Sequence, residues 1–353
     1  MTSNVFSQIT DWSNLLLAYN KAAKSKRNTP CVAAFEYDLA ENLLRLQHQL
    51  RSGQYRPGNY RHFYIHEPKR RRISAAPFSD RVIHHAVCNI IEPLFETSFI
   101  ADSFANRVGK GNHRAINRFQ VLSKRYSYCL RMDIVKYFES IDHALLHKRL
   151  SERINDQKAM RLIEHIINSG SDNRSQYFFP HDDLLSAVRP KGLPIGNLTS
   201  QFWSNCYLHP FDLFITRELS CKAYVRYVDD FALFADDKAT LWRWKKQIIE
   251  RLTDLRLRCH QHSAQVCPTR TGIPWLGMVV YPEHRRLKAR KVRYATRNLR
   301  YRYRDWRMGK ISFAELDASV KGWVAHAQHA DSWAIREHVL GTLIVSDLAE
   351  VSD

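Results

Sequence analysis

The sequence predicts an α+β chain of two or three subdomains, and three observations carry that prediction. At 353 residues and 44% hydrophobic, the chain can bury a sizeable core. Apolar residues at helical spacing occupy both ends, while the middle carries alternating β-branched and aromatic residues. The third observation is the run Tyr224-Val225-Arg226-Tyr227-Val228-Asp229-Asp230-Phe231-Ala232-Leu233-Phe234, where two adjacent carboxylates interrupt strand-forming sequence. A β-hairpin with the acids at its tip is expected there. Adjacent carboxylates repel, and a cation held between them would relieve the repulsion. Asp182-Asp183 and Asp236-Asp237 repeat the dipeptide in loop-like settings, so the pair alone specifies little.

Lys and Arg total 54 against 35 Asp and Glu, a formal net charge of +19. Such an excess suits a polyanionic partner. Nucleic acid is favoured over an anionic membrane surface, because no apolar run approaches the roughly 18 residues of a spanning helix. Residues 1–12 lack the basic start and apolar core of a signal peptide, which sets the expectation of a cytoplasmic protein. Seven scattered cysteines, without C-x-x-C spacing, are expected reduced and mostly buried. Cys259, His260, His262 and Cys267 match no common zinc spacing.

In chain order, Asp11 precedes a helix marked by Trp12, Leu15, Leu16 and Tyr19, and Leu39, Leu43, Leu46 and Leu50 mark another that Gly53 stops. Residues 64–74 read as an extended segment carrying Lys69, Arg70, Arg71 and Arg72. A basic ribbon of this kind can grip phosphate oxygens; a solvated charge run is the competing reading. Residues 102–111, with Arg107 and Lys110, form either a nucleic-acid contact or a surface loop, and Gly109-Lys110-Gly111 lacks the P-loop spacing. Residues 128–135 read as a strand that turns into a helix over 136–142. Asp133 is then the third carboxylate, and beside the hairpin it would cluster with Asp229 and Asp230 around two divalent ions. Asp142 reads as a helix N-cap.

Residues 191–202 open with a Gly-Pro turn and run into a helix marked by Leu198, Phe202 and Cys206. Glycine at such a turn lets a ligand approach the backbone closely. Beyond the hairpin, 241–257 is predicted helical and 272–280 strand. From His284 to Lys310 the chain carries 12 Lys or Arg and one acid, Asp305, interleaved with Tyr294, Tyr301, Tyr303 and Trp306. That surface suits a phosphate backbone. Ser312-Phe313-Ala314-Glu315 is a capping box opening a last helix pair, with Leu316, Val320, Trp323 and Ala327 on one face. Residues from 342 onward read as a frayed tail.

Taken together, residues 133–138, Gly192-Leu193-Pro194-Ile195-Gly196-Asn197-Leu198-Thr199-Ser200-Gln201, Tyr227-Val228-Asp229-Asp230 and Trp275-Leu276-Gly277 resemble, in motif order, the reverse transcriptases. The resemblance is most specific to enzymes of diversity-generating retroelements. Gln8-Ile9-Thr10-Asp11-Trp12, Glu36-Tyr37-Asp38-Leu39-Ala40 and Gly322-Trp323-Val324-Ala325-His326-Ala327 also look like that group. It implies a right-hand polymerase with helical fingers, an antiparallel palm sheet and a helical thumb. Residues 1–127 would be N-terminal helices and fingers, 128–144 the first part of the palm and 145–191 an insertion between fingers and palm. The second part of the palm would span 192–283, the basic thumb 284–341 and a tail 342–353.

Carried over residue by residue, the resemblance has Asp133, Asp229 and Asp230, with the backbone of Ile134, hold two Mg²⁺ ions, Mn²⁺ being the alternative. Lys69 and Arg71 would hold the triphosphate. Ile134, Val135, Lys136 and Tyr137 would line the nucleotide pocket through their backbone, together with Ile195, Gly196 and Gln201. Phe138 would be the steric gate that excludes a ribose 2′-hydroxyl. Val228 would sit beneath the primer end, and Arg107, Lys110, Trp275, Gly277, Arg297, Arg300 and Arg304 would contact primer or template. The implied partners are a template RNA, the RNA/cDNA duplex, dNTPs and a small basic pentameric accessory variability protein, with no membrane.

Two departures from the family pattern stand out. Most reverse transcriptases place Gln where this chain has Ile195, and an apolar side chain there should relax discrimination, which implies error-prone synthesis. Near residues 257–265 many relatives carry a Lys that can protonate pyrophosphate, whereas this chain offers His260, His262 and Ser263. Antiviral-defence and intron-type reverse transcriptases are the alternatives within the class. A non-catalytic RNA-binding scaffold is the alternative outside it, disfavoured because all three acids and the gate residue are present. The resemblance implies a bacterial or phage-encoded cytoplasmic enzyme, with no endonuclease or maturase domain after the thumb.

Overall fold

The computed structural model describes residues 5–66, 70–170, 179–180, 182, 186 and 188–350, the stretch 343–350 by its backbone alone. Lys69, expected at the nucleotide, lies outside the described residues, as does Asp183.

Local signals build the N-terminal half. A short α1 (Val5–Ile9) leads into α2 (Trp12–Ala23), whose N-cap Asp11 accepts the Ser13 N–H. Proline opens α3 (Pro30–Tyr37), at the position where its fixed φ suits a helix and its missing N–H leaves no bond unmade. Neither α1 nor α3 is long enough to show an apolar stripe, which is why periodicity passes over them. The helix α4 (Leu39–Arg51) buries Leu43, Leu46 and Leu50. An antiparallel ribbon of β1 (Arg61–Ile65) and β2 (Arg71–Ala75) follows, then α5 (Phe78–Glu96), which packs along α2.

Period-two alternation builds the central sheet. After α6 (Asn112–Arg125) come β3 (Tyr128–Asp133), α7 (Tyr137–Ser140), α8 (His143–Ser151), α9 (Gln157–Ser169) and α10 (Leu198–Leu213). The chain then forms β4 (Tyr224–Tyr227), β5 (Asp230–Ala235), α11 (Lys238–Asp254) and β6 (Val266–Pro268). The sheet is antiparallel throughout, in the order β4-β5-β3-β6. Leu130, Met132, Phe231 and Leu233 face the large core shared with α5, α8 and α10. Cys129, Val225, Ala232 and Phe234 face a second core built on α6. The same alternation turns Arg131, Asp133 and Asp230 to the α6 side and Arg226 to the α10 side.

A separate sheet of β7 (Ile273–Trp275), β8 (Met278–Val280) and β9 (Arg285–Leu287) rests on the second core. Residues 272–280, expected as one strand, are instead a hairpin. Leu276 and Gly277 take φ of +42° and +93°, the geometry of a tight two-residue turn, and leucine is not a residue that announces it. The three helices α12 (Ala289–Arg307), α13 (Phe313–Ala327) and α14 (Trp333–Glu350) close the chain, α13 with the expected Ser312 and Glu315 capping box. Where a frayed tail is expected from residue 342, the backbone stays helical through Glu350. Helices packed on antiparallel sheets make this the α+β class that the sequence predicts.

Gly272 sits at φ +77°, and a Cβ added there would lie 2.4–2.8 Å from three carbons of the Tyr281 ring. Gly53 has a similar φ of +73° but open space around it. Both Gly→Ala changes should cost about 1–2 kcal/mol for the left-handed backbone. Gly272→Ala should add overpacking of about 1–3 kcal/mol. Thermal melts should therefore rank wild type above Gly53→Ala and Gly53→Ala above Gly272→Ala.

Candidate active site

Tyr227 pairs with Asp230, so the turn between β4 and β5 consists of Val228 and Asp229 alone. Val228 holds φ +57°, where a β-branched side chain is strained by on the order of 1–3 kcal/mol. On the other edge of β5, β3 brings Asp133 directly opposite Asp230. Residues so paired hold their Cβ atoms roughly 4.5–5.5 Å apart, and like charges there are destabilising. The register is set by Cys129 against Phe234, Leu130 against Leu233 and Met132 against Phe231, each buried. A slip by one residue would turn every one of these to the wrong face.

Asp229 is half-buried, and burial, followed by the charges of Asp133 and Asp230, pushes its carboxyl up to about 6. Arg71 of β2 acts on it in the opposite sense, so the ribbon lies within electrostatic reach of the turn. Asp230 is held differently, with Arg131 Nη2 2.9 Å from its Oδ1. No set of three or more His, Cys, Asp or Glu side chains among the described residues stands ready to hold a metal ion. The donor chemistry still fits a divalent cation. Carboxylate oxygens are the hard ligands such ions take, and the repulsion that raises Asp229 is what a cation between Asp133 and Asp229 would relieve.

The backbone after Asp133 is fixed from outside the strand. His260 N–H donates to the Asp133 carbonyl at 2.9 Å, and Val135 N–H donates to the Arg258 carbonyl at 2.7 Å. Ile134 has a buried side chain, and Lys136 turns the chain at φ +46°. Tyr137 is buried, its hydroxyl donating to the Ser204 carbonyl at 2.5 Å, which leaves the backbone as the part of it a ligand can meet. Half-buried Phe138 accepts the Leu193 N–H on its carbonyl at 2.7 Å, tying it to the 192–197 turn. That turn is closed onto β2. Ser74 N–H donates to the Ile195 carbonyl at 2.9 Å, and Asn197 Nδ2 donates to the Ser74 carbonyl at 3.1 Å. Gly196, at φ +115°, is required there, because a Cβ would lie 2.9 Å from Ile73 Cγ2. Gln201 is half-buried in the first turn of α10.

Acids at a sheet end, an aromatic beside them and a glycine turn closed on a basic ribbon agree with what comparison finds. Residues 65–280 match the family described as reverse transcriptase (RNA-dependent DNA polymerase). The chain belongs to the reverse transcriptase family. Protein YkfC of Escherichia coli strain K12 is 30% identical over 194 residues, 52% of this chain and 48% of that protein. The group II intron-encoded protein LtrA of Lactococcus lactis subsp. cremoris is 27% identical over 178 residues, 50% of this chain and 28% of that protein. The chain thus spans about half the length of the first and little more than a quarter of the second. Apo telomerase from Candida tropicalis, truncated from its C-terminal domain, aligns at TM-score 0.47 and 11% identity over 70% of this chain and 60% of that one. Reverse transcriptase domains in general depend on a divalent metal.

Against the family pattern, several residues expected at primer or template are engaged elsewhere. Arg107 is bound to Glu96 at 2.7 Å and to the carbonyls of Ile100 and Ser103 at 2.6 and 2.8 Å, so its charge fastens its own loop. Lys110 donates to the Ala101 carbonyl at 2.7 Å and covers the Phe104 ring. Trp275 is buried and stacked on Phe119 at 4.9 Å; the Leu276 and Gly277 turn is what this hairpin presents outward. Arg297, Arg300 and Arg304 are exposed along α12, and Arg290, Arg293 and Arg307 continue their three-and-four spacing into one stripe. Asp142 caps α8 as expected, accepting Leu145 N–H at 2.9 Å, and also binds Arg189 and Arg256 at 2.8 and 2.7 Å. Sequence reasoning missed Arg131, which period two would have put on the face of Asp133 and beside Asp230.

Ionised Asp229 works against folding. A carboxyl raised from 3.8 to about 6 in the folded chain loses stability as pH rises through that interval. Asp229→Asn should therefore be more stable than wild type at about pH 8 without divalent metal, by on the order of 1–3 kcal/mol. That advantage should shrink as pH falls below about 6. Divalent metal should raise the wild-type melting temperature more than the variant's.

Proposed function

We propose that this chain is the RNA-directed DNA polymerase of a diversity-generating retroelement, making error-prone cDNA from a template-repeat RNA for mutagenic retrohoming. The observation that carries the polymerase chemistry is the register that sets Asp133 against Asp230, with Asp229 in the turn beside them. Two divalent ions bound there, Mg²⁺ or alternatively Mn²⁺, would activate the primer 3′-hydroxyl and offset the charge of the leaving pyrophosphate. Asp133, Asp229 and Asp230, with the Ile134 carbonyl, are the groups to hold them. Arg71 of β2 receives the triphosphate, a role the reading shares with Lys69, and the backbone of residues 134–137 lines the pocket with Gly196 and Gln201. Phe138 narrows that pocket at the sugar, so deoxynucleotides are selected. Val228 supports the primer end, and the arginines of α12 hold the duplex through its phosphates.

Ile195 carries the error-prone part of the reading. Its carbonyl is taken by Ser74 and its side chain has no hydrogen-bonding atom, so a mispaired base leaves no polar group unsatisfied. Resemblance over residues 192–201 supports the retroelement setting, and with it a bacterial or phage-encoded cytoplasmic enzyme working with a small basic pentameric accessory protein. An intron-type reverse transcriptase is the second reading, favoured by the similarity to LtrA.

Primer extension on a defined RNA template tests both levels. Asp229→Ala should abolish extension while RNA binding is retained, and extension that survives would remove the metal assignment. Ile195→Gln should lower misincorporation, above all opposite adenine, on the order of tenfold by product sequencing. An unchanged error spectrum would favour the intron-type reading.

A further inference from the structure

The helix α10 runs between the two loops that matter most: it begins at the 195–197 turn and ends beside the hairpin. Near its C-terminal end, Asp212 is fully buried and takes both arms of Arg226. Nε donates to Oδ1 at 2.7 Å, and Nη2 donates to Oδ2 at 2.6 Å. Tyr224 donates its hydroxyl to the same Oδ1 at 2.8 Å. The guanidinium is likewise fully buried, and its remaining nitrogen, Nη1, donates to Asn205 Oδ1 at 3.2 Å and to the Val228 carbonyl at 3.0 Å. Asn205, also on α10, donates in turn to the Ala105 carbonyl at 2.9 Å.

Stability alone does not account for such a pair, since well-packed apolar residues often do as well in a core. Its distinctive contact is the last one. Val228 is the strained residue at φ +57°, and its carbonyl belongs to the peptide unit that leads into Asp229. A guanidinium forked onto Asp212 cannot swing, so the peptide it grips cannot either.

We propose that Arg226 and Asp212 are a positioning pair for polymerisation: they fix the peptide between Val228 and Asp229 so that Asp229 faces Asp133, and they make α10 the strut that spaces this turn from the nucleotide turn. Neither residue touches substrate. The pair acts through Asp229, and the inference rests on the polymerase reading of that site.

The test uses the full chain in primer extension with RNA template, DNA primer and Mg²⁺. Arg226→Gln combined with Asp212→Asn removes both charges together, leaves amide partners for Tyr224 and Asn205, and withdraws the reach to Val228. The expected result is a melting temperature near wild type, a nucleotide KM within about twofold and a kcat lower by about a hundredfold, the scale of an ångström's misplacement. Arg226→Lys keeps the charge but has one ammonium for two tasks, and should lower kcat about tenfold with KM unchanged. Because it keeps the buried charge paired, it decides the matter if the double variant does not fold. A kcat at the wild-type level in either folded variant, or a loss confined to KM, overturns the proposal. Failure of the wild type to extend any primer would instead overturn the polymerase reading itself.

Discussion

Two carboxylates facing each other across neighbouring strands raise the free energy of a fold, and the pairing of β3 with β5 imposes that arrangement on Asp133 and Asp230. Nothing local requires it. The buried residues of the same two strands fix the register from both faces of the sheet, and the acids come along with it. Asp229 adds a third negative group on a turn whose first residue is itself strained. The three acids are therefore held in place by cores to which their own side chains do not contribute, and their electrostatics push the other way.

Partial relief is visible within the chain. Arg131 neutralises Asp230, Arg71 acts on Asp229 from the ribbon, and Arg226 steadies the turn from beneath the sheet. These three cations come from three elements and serve three ends. Arg71 reaches the site from the ribbon that the 195–197 turn closes on, so whatever moves that ribbon also alters the charge balance at Asp229. Arg226 is out of reach of solvent and of substrate alike, and it transmits the placement of α10 to the hairpin.

What could be read from the sequence were the features whose cause is local. The hairpin, the strand ending in Asp133, the Asp142 cap and the Ser312 capping box each follow from residues a few positions apart. The partners of Arg107 and Trp275, namely Glu96 and Phe119, could not be read from the sequence, because packing sets them. Arg226 was silent for the same reason. In the sequence it is one more charged residue in a strand, and only the return of α10 supplies the buried carboxylate that gives it a role. The break at Leu276 was missed because the left-handed turn there uses leucine in place of the usual Asn or Gly.

The helix α12 repeats the logic with the sign reversed. Arg290, Arg293, Arg297, Arg300, Arg304 and Arg307 lie along one face of α12 at spacings of three and four. Like charges so spaced destabilise a helix by about 0.2–0.5 kcal/mol per pair. Against this the three-helix unit sets a small cluster of buried Leu299 and Val339, with Val320, Trp323 and Ile335 half-buried around them. Acids crowded at one site and arginines at another are each disfavoured in the isolated chain. Each would be relieved by a ligand of opposite charge, a divalent cation at the acids and a phosphate backbone along α12, so binding there would add stability to the fold.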